Sequence, residues 1–576
     1  ELLSENKLNA GQIEEAETLR RQADELRNAS PSDSQLLFRV LLRTGRLDEA
    51  RRKLEERAAA ERLEPVLTPR AHRETHLLLS LVYSLLGLGQ QAHEYAQIGA
   101  RRGVDLQSPF MIAVGHLRLG HAIALLNDPN RYDLARQQYE QVVAISREIA
   151  VPRLMVEASW GLCRVYGYGG NLSQALQSAT EGIAIAQAAG DEWVASLTRV
   201  AMGAGLAMAA RYEEALSWLS LALQGFQECS DVFGACAARL WLCFVHWRQG
   251  KIELLTQLLP ATLTAAEENG YDFLLTRPTL LGPPDERLFT PLLILARDRQ
   301  WQGAYAARLL AAMGLQRITY HPGYRLGVFT LGEFAAWRGE VVISPNSWRR
   351  AKARQLFQLL VTFRHTLLDR DQILEYLWPE MDPTAAGRNF KVTLNSLYHA
   401  LEPDRDPGSE SALIYRDGSA YGIRPGADIW LDAERFTALV AQANAALKEQ
   451  PAQAVLPLEE AIALYKGVYL PEAIYETWAA AERERLAVLF LSAADRLAEI
   501  YIDSQRYEQA VELSYRLLAA DNCWERAYRH LMRAYHGLGN HGQIARTYHR
   551  CVETLQGELD VSPAEETTAL FDKLTK

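Results

Sequence analysis

The chain has 576 residues, of which 48% are hydrophobic and 23% charged, and its formal net charge is −10. That length exceeds what one hydrophobic core serves, so three or more folding units are expected. No stretch approaches the roughly eighteen consecutive apolar residues of a membrane span, and the acidic balance excludes nucleic-acid binding over the whole surface while leaving room for a local basic patch.

The sequence opens ELLSENKLNA, without Met or a signal-peptide pattern, so a fragment or processed start is expected. Residues 1–318 carry an internal repeat. A turn-tolerant residue is followed two positions on by an apolar one and three further by a small one. The instances are Gly11/Ile13/Ala16, Gly45/Leu47/Ala50, Gly89/Gln91/Glu94, Asn130/Tyr132/Ala135, Gly170/Leu172/Ala175, Ala210/Tyr212/Ala215 and Gly250/Ile252/Leu255. Glycine permits the left-handed turn that ends a helix, and the small residue lets the next helix approach closely. One such hairpin cannot bury its own apolar face, so a stacked superhelix is predicted. The spacing resembles tetratricopeptide repeats in the longer form of MalT-like regulators.

Several candidate sites lie within this array. His72 and His76 are four apart, as helical metal ligands would be, but a solvated helix face explains them without a third ligand. Gly203 and Gly205 lack the strand, Lys and Ser/Thr of a phosphate loop, so close helix packing is expected. Trp160, Trp193, Trp218, Trp241 and Trp247 read as repeat core, with a ligand-lining groove as the alternative. The cysteines Cys163, Cys229, Cys236, Cys243, Cys523 and Cys551 form no CxxC pair. They read as small buried residues with reduced thiols in a cytoplasm, with a zinc or redox site as the alternative. From Thr276 the proline-rich RPTLLGPPDERLFTPL marks an irregular connection. A helical piece from about Pro291 to Gly314 follows, and a boundary is placed near Ile318.

The next segment, 319–430, is neutral, with thirteen Arg/Lys and thirteen Asp/Glu between Tyr320 and Trp430. Short alternating strands with turns at Gly332 and Gly339 are predicted over 324–343. Trp348 to Phe363 is an amphipathic helix opening on the acid-free cluster Arg349, Arg350, Lys352 and Arg354. Asp369 is an N-cap for a second helix, Arg370 to Trp378. Asp382-Pro383 starts a third, running to about Leu401, with Phe390, Leu394, Leu397 and Leu401 on its packed face. Arg388, Lys391, Asn395, Ser396 and His399 fall outside that face, where such side chains can meet base edges or phosphates. The hairpin IYRDGSAYGI closes the segment. This element order is that of a winged helix-turn-helix.

The strand hairpin VFTLGEFAAWRG, the KARQLFQLLV helix, DRDQILEYLWPE, the RNFKVTLNSLYHAL helix and IYRDGSAYGI together resemble the OmpR-type winged helix of the Streptomyces antibiotic regulatory proteins. The resemblance implies that Lys391, Val392, Asn395 and Ser396 face bases. It also implies that Arg416 and Tyr421 form a wing touching the neighbouring minor groove or its phosphates. The chain has Asn395, Ser396 and Tyr398 where many members of that family carry Arg. Fewer cations release fewer counterions, so the hold on DNA should be weaker and less salt-sensitive.

Residues 431–576 continue with amphipathic helices at Phe436 to Glu449, Val455 to Tyr465 and Thr477 to Asp503. Two repeats follow, Tyr501/Gln505/Tyr507/Ala510 and Tyr535/Gly539/His541/Ile544, and then a capping helix with Ser562 at its cap. WLDAERF, EEAIALYKGVYL, Trp478 and GELDVSPAEETTALF resemble the bacterial transcriptional activation domain of those same regulators, which implies self-association and contact with RNA polymerase.

The fold expected is therefore mainly α: a tetratricopeptide-type superhelix, a central α+β winged helix-turn-helix domain and a C-terminal helical repeat domain. The function expected is a cytoplasmic bacterial transcriptional activator that binds promoter DNA and RNA polymerase and forms a homodimer. A signal ligand or protein is expected on its N-terminal repeats. The alternative is a protein-binding repeat scaffold whose winged helix does not bind DNA. No paired carboxylates, Ser/His/Asp set or metal cluster points to an enzyme, and no cofactor is expected. No GxxxxGK[ST] is present, so the nucleotide-switch ATPase module of a MalT-like architecture would lie upstream of this sequence.

Overall fold

The computed structural model describes residues 2–9, 12–26, 35–63, 74–128, 130–316, 318–405, 408–449 and 451–575. Gly11 and His72 lie outside them. The chain forms two compact units, Glu1–Gly323 and Tyr324–Lys576. No described helix is long and apolar enough to cross a membrane.

The first unit is a stack of antiparallel helices. Its rhythm is set by left-handed residues at the helix ends: Ala150, Gly170, Gly190, Ala210, Ser230, Gly250 and Gly270 all have positive φ, one every twenty residues. After each, a backbone N–H bonds to a carbonyl five residues back, as from Asn171 to Tyr166 at 2.8 Å and from Asp231 to Phe226 at 2.8 Å. This is the bond pattern of a Schellman helix stop. The repeat in the sequence marks one such turn per unit; the alternate ones, at Ala150, Gly190, Ser230 and Gly270, are equally left-handed. The third repeat also differs from expectation. Its left-handed turn is at Gly87, and Gly89 is the first residue of the helix Gly89–Asp105.

The small residues do what their size permits. A Cβ at Gly205 would lie 3.0 Å from the Gly167 Cα of the neighbouring repeat, so these helices touch backbone to backbone. The cysteines Cys163, Cys229, Cys236 and Cys243 are buried, and burial pushes their thiols up. Trp241 is fully buried and donates to Leu281 O at 2.8 Å. His76 is buried rather than solvated; its Nδ1 lies 2.8 Å from Glu74. Glu61, Glu74 and His76 bring ligand-type atoms within 4.8 Å of one another. However, Arg57 and Arg102 already sit against those carboxylates, at 3.1 Å from Glu61 and 3.6 Å from Glu74.

The proline-rich connection is not a surface loop. Thr279, Leu280 and Leu281 are buried. Arg164 donates to Thr279 O at 3.1 Å, and Tyr168 donates to Gly282 O at 2.8 Å. The segment satisfies these carbonyls on one helix, Pro152–Tyr168, more than a hundred residues earlier. The helical piece after it is two helices, Thr290–Asp298 and Gly303–Ala312, split by left-handed Gln300 and Gln302.

Among its described residues the second unit holds two small sheets. Strands β1 (Leu326–Phe329), β2 (Ala335–Arg338) and β3 (Val341–Val342) form an antiparallel meander. Strands β4 (Leu368–Asp369), β5 (Ile414–Asp417) and β6 (Ala420–Ile423) form a second sheet in the order β4-β6-β5. Strand β7 (Ile429–Leu431) pairs parallel to β1, with Val328 opposite Leu431. Parallel pairing needs a long crossover. Here the crossover comprises the three helices Ala351–Thr362, Arg370–Leu377 and Pro383–Leu401 together with the β5–β6 hairpin. The meander packs on the first of these helices through Phe334, Trp348 and Phe357, whose ring centroids are 5.7–6.2 Å apart.

Among the described residues, seven α-helices then run from Asp432 to Thr575. Two hinge on left-handed Gln505 and Gly539, as the repeat spacing predicts. The last helix starts at Glu565, so Ser562 lies before it and does not cap it. Asp432 receives Thr330 N at 2.7 Å, Thr330 Oγ1 at 2.7 Å, Leu331 N at 2.8 Å and Ala433 N at 2.7 Å. This buried carboxylate thus fixes the start of the helical region onto the meander.

Candidate nucleic-acid interface

The helix Pro383–Leu401 is the longest in the central segment. Its start is secured by the Asp382 carboxylate, which accepts Thr384 N at 3.0 Å and Ala385 N at 3.1 Å, and by Pro383 at the first turn. Ala386, Phe390, Thr393, Leu394, Leu397, Ala400 and Leu401 are buried, which fixes the helix's rotation. Phe390 meets Tyr421 of β6 edge to face at 5.0 Å.

That rotation leaves a second stripe outside. Arg388, Lys391, Val392, Asn395 and His399 are exposed, at intervals that keep them on one side of the helix. Neither Arg388 nor Lys391 has an ion pair among the described residues. His399 is joined to the first helix's entrance, its Nε2 lying 2.6 Å from the Arg349 guanidinium. Arg349 has φ +58, a left-handed kink between the short 3-10 turn Pro345–Trp348 and the helix Ala351–Thr362. Arg350 follows it, exposed.

Other expected positions are placed differently. Ser396 is 8% exposed, and its hydroxyl donates to Val392 O at 3.0 Å, so it faces into its own helix. Tyr421 is 6% exposed and belongs to the core of the hairpin sheet. Arg416, directly opposite it in the ladder, is exposed; its Nε donates to Gly418 O at 2.9 Å, and its guanidinium lies 5.6 Å from the Tyr421 ring centre. Lys352 is half-buried, 5.9 Å from the Trp378 ring. Arg354 is half-buried and bound to Phe334 O and Glu472. Arg370 is exposed but pairs with Asp371 at 3.1 Å. The structure thus brings Arg349, Arg350, Arg388, Lys391, Val392, Asn395 and His399 to exposed positions on two elements joined by the Arg349–His399 contact, with Arg416 exposed on the hairpin. It turns Ser396, Tyr421 and Arg354 elsewhere.

Sequence reasoning missed the residues that secure this module to the helices after it. Asp432, Glu472 and Glu476 supply the carboxylates, the last accepting from Gln355 at 2.6 Å. Their partners are 101 to 121 positions away, and no local pattern links them.

Residues 431–575 match the bacterial transcriptional activator domain. The transcriptional regulatory protein MoaR1 of Mycobacterium tuberculosis is 24% identical over 227 residues, which is 39% of this chain and 72% of MoaR1. MoaR1 of Mycobacterium bovis matches equally, at 24% over 227 residues with the same coverage. These similarities support a transcriptional regulator of the Streptomyces antibiotic regulatory protein type.

Among solved structures, Mycobacterium tuberculosis EmbR in complex with a low-affinity phosphopeptide is 20% identical with a TM-score of 0.37. That match covers 44% of this chain, and the chain spans 65% of the EmbR length. The Rap protein complexed with competence and sporulation factor is 15% identical with a TM-score of 0.38, covering 54% of this chain and 89% of Rap.

Proposed function

We propose that the chain is a DNA-binding transcriptional activator working in the cytoplasm, divided into a sensing repeat array (1–318), a winged helix (319–430) and an activation domain (431–576). The observation that carries this reading is the exposed stripe Arg388, Lys391, Val392, Asn395 and His399 on a helix whose opposite face is fixed by Phe390 and Leu397. A helix of this diameter fits the DNA major groove. In this reading Asn395 reads an adenine edge, Lys391 and Arg388 meet bases or phosphates, and Arg349 and Arg350 hold the backbone beside them. Arg416 on the β5–β6 hairpin reaches the adjacent groove. The match of residues 431–575 supports a role in activation, with RNA polymerase as the partner and a homodimer as the working form.

The stripe carries two full positive charges, Arg388 and Lys391. Few phosphate contacts give weak binding, so promoter binding depends on dimerisation or on a signal from the repeats. The test is a gel shift of genomic fragments across a salt series, with the full chain and with Arg350→Ala/Lys391→Ala. Retarded fragments whose affinity falls in the variant support the reading. If no fragment is retarded, or the variant binds like the parent, the chain is a repeat scaffold.

A further inference from the structure

In the first unit, Pro278–Pro284, with the sequence PTLLGPP, is irregular yet enclosed. Its leucines, Leu280 and Leu281, are 2% and 1% exposed. Irregular connections normally run over the surface, because a buried one must find partners for its backbone. Among the described residues, no backbone–backbone hydrogen bond ties Pro278–Pro284 to the rest of the unit. Side chains tie it instead. Arg164 donates to Thr279 O at 3.1 Å, Trp241 Nε1 to Leu281 O at 2.8 Å and Tyr168 to Gly282 O at 2.8 Å. These donors come from two helices, Pro152–Tyr168 and Val232–Arg248, that are remote from each other in the chain. A Cβ at Gly87 would overlap Pro278 O, so the turn after the helix Thr75–Leu85 also closes on the segment's backbone.

Side-chain donors aimed at the carbonyls of a proline-rich stretch, between aromatic walls, are how a protein holds a separate peptide. Pro278, Pro283 and Pro284 make such burial cheaper, since they have no N–H to satisfy. The holding is also incomplete. Arg164 is 2% exposed, and its Nε and Nη1 have no hydrogen-bond acceptor. The bond to Thr279 O therefore answers only part of a buried cation. A segment joined covalently to its groove nevertheless stays in place on modest contacts, because the link holds it at an effective concentration of about 1 mM.

We propose that Pro278–Pro284 is an internal occupant of a peptide groove between the helices Pro152–Tyr168 and Val232–Arg248, and that a partner's apolar, proline-containing peptide displaces it. The incoming peptide takes over the bonds from Arg164, Tyr168 and Trp241, and its apolar side chains replace Leu280 and Leu281. That this peptide is the signal read by the repeat array rests on the regulator reading above; the occupied groove and its exchange do not.

The test uses the full chain and a fluorescent peptide of the segment's own sequence, TRPTLLGPPDERLF, with a scrambled peptide as control. Replacing Pro278–Pro284 with Gly and Ser residues empties the groove. The peptide should then bind one to one, at least about tenfold more tightly than to the parent, in which the tethered segment competes. Adding Tyr168→Phe to the emptied chain should lower that affinity about two- to tenfold, as expected for one lost hydrogen bond. A second measurement needs no altered chain. The Gly282 amide donates to Thr279 Oγ1 at 2.8 Å and so reports on the segment by hydrogen exchange. In the parent labelled with nitrogen-15, it should exchange through a local opening insensitive to low urea. Unlabelled peptide at about 1 mM should speed that exchange at least about twofold, and the scrambled peptide should not. The proposal is overturned if the Gly282 amide exchanges only with unfolding of the unit, or if added peptide leaves its rate unchanged. It is also overturned if a folded, emptied chain binds the peptide no better than the parent, or binds the scrambled peptide equally well. If the emptied chain pairs with a second copy instead of binding peptide, the segment is an exchange point between copies and the proposal fails. Every measurement is made without DNA, so a failed gel shift bears on the regulator reading alone.

Discussion

Arg354 donates to Glu472 at 2.7 Å and to Phe334 O at 2.8 Å, tying the first helix of the central module to the strand meander and to the loop after Leu470. A basic cluster that reads in sequence as one phosphate-binding surface is therefore divided. Arg349 and Arg350 face outward, while Arg354 is an internal strut.

A double-mutant cycle checks this division. Both side chains are partly exposed, so Arg354→Ala with Glu472→Ala should give a coupling of about 0.2–1 kcal/mol in urea unfolding. Arg354→Ala should leave the salt slope of DNA binding unchanged, and Arg350→Ala should lower it by about one. Equal slopes for the two variants would refute the division.

The same junction includes a backbone contact that tolerates no side chain. Gly332 has φ +97, and a Cβ there would lie 2.9 Å from the Lys466 carbonyl carbon and 3.0 Å from Gly467 N. Gly332 N donates to Val468 O at 3.1 Å, and Leu470 N donates to Thr330 O at 2.8 Å. Gly332→Ala should destabilise the second unit by about 1–3 kcal/mol, through overpacking and an unfavourable φ. An unchanged urea midpoint would show that the contact is not made in solution.

On the third helix, the exposed and buried positions should separate in binding assays. Lys391→Ala and Arg388→Ala should weaken binding to all fragments and reduce its salt dependence. Asn395→Ala should instead relax preference at one base position, by about 1–3 kcal/mol. Ser396→Ala removes a hydroxyl bound to its own helix and should change neither. Fluorescence anisotropy on matched and single-base-altered fragments distinguishes these outcomes; a specificity change on Ser396→Ala would overturn the assigned rotation.

Asp231 should make the first unit's stability depend on pH. It caps the helix Val232–Arg248, accepting Gly234 N at 3.0 Å and Trp193 Nε1 at 2.8 Å. Burial outweighs these bonds and pushes its carboxyl up to about 7. An unfolded aspartate titrates near about 3.9, so the folded state holds the proton more tightly. The resulting stabilisation is full below about pH 4 and is lost as pH rises to about 7. Asp231→Asn keeps a capping oxygen and removes the titration, so its stability should fall less across that window. Parallel profiles for parent and variant in denaturant titrations would contradict this.

The helical repeats were legible because their cause is local. Gly170 and Gly250 stop helices through their own backbone freedom, and Ala175 and Ala215 are small wherever they fall. The stripe Arg388, Lys391, Asn395 and His399 was legible for the same reason, since helical spacing alone separates it from Phe390 and Leu397. Ser396 was not, because it lies at the edge between the two faces, and packing decides on which side an edge residue falls. Tyr421 was misread because alternation on a two-strand hairpin does not say which face Phe390 covers. Arg354 drew its meaning from Glu472, 118 positions away. Helix periodicity and turn chemistry are written in neighbouring residues. Which charges are spent inside and which remain for a partner depends on distances across the fold, and those are fixed only when the chain closes on itself.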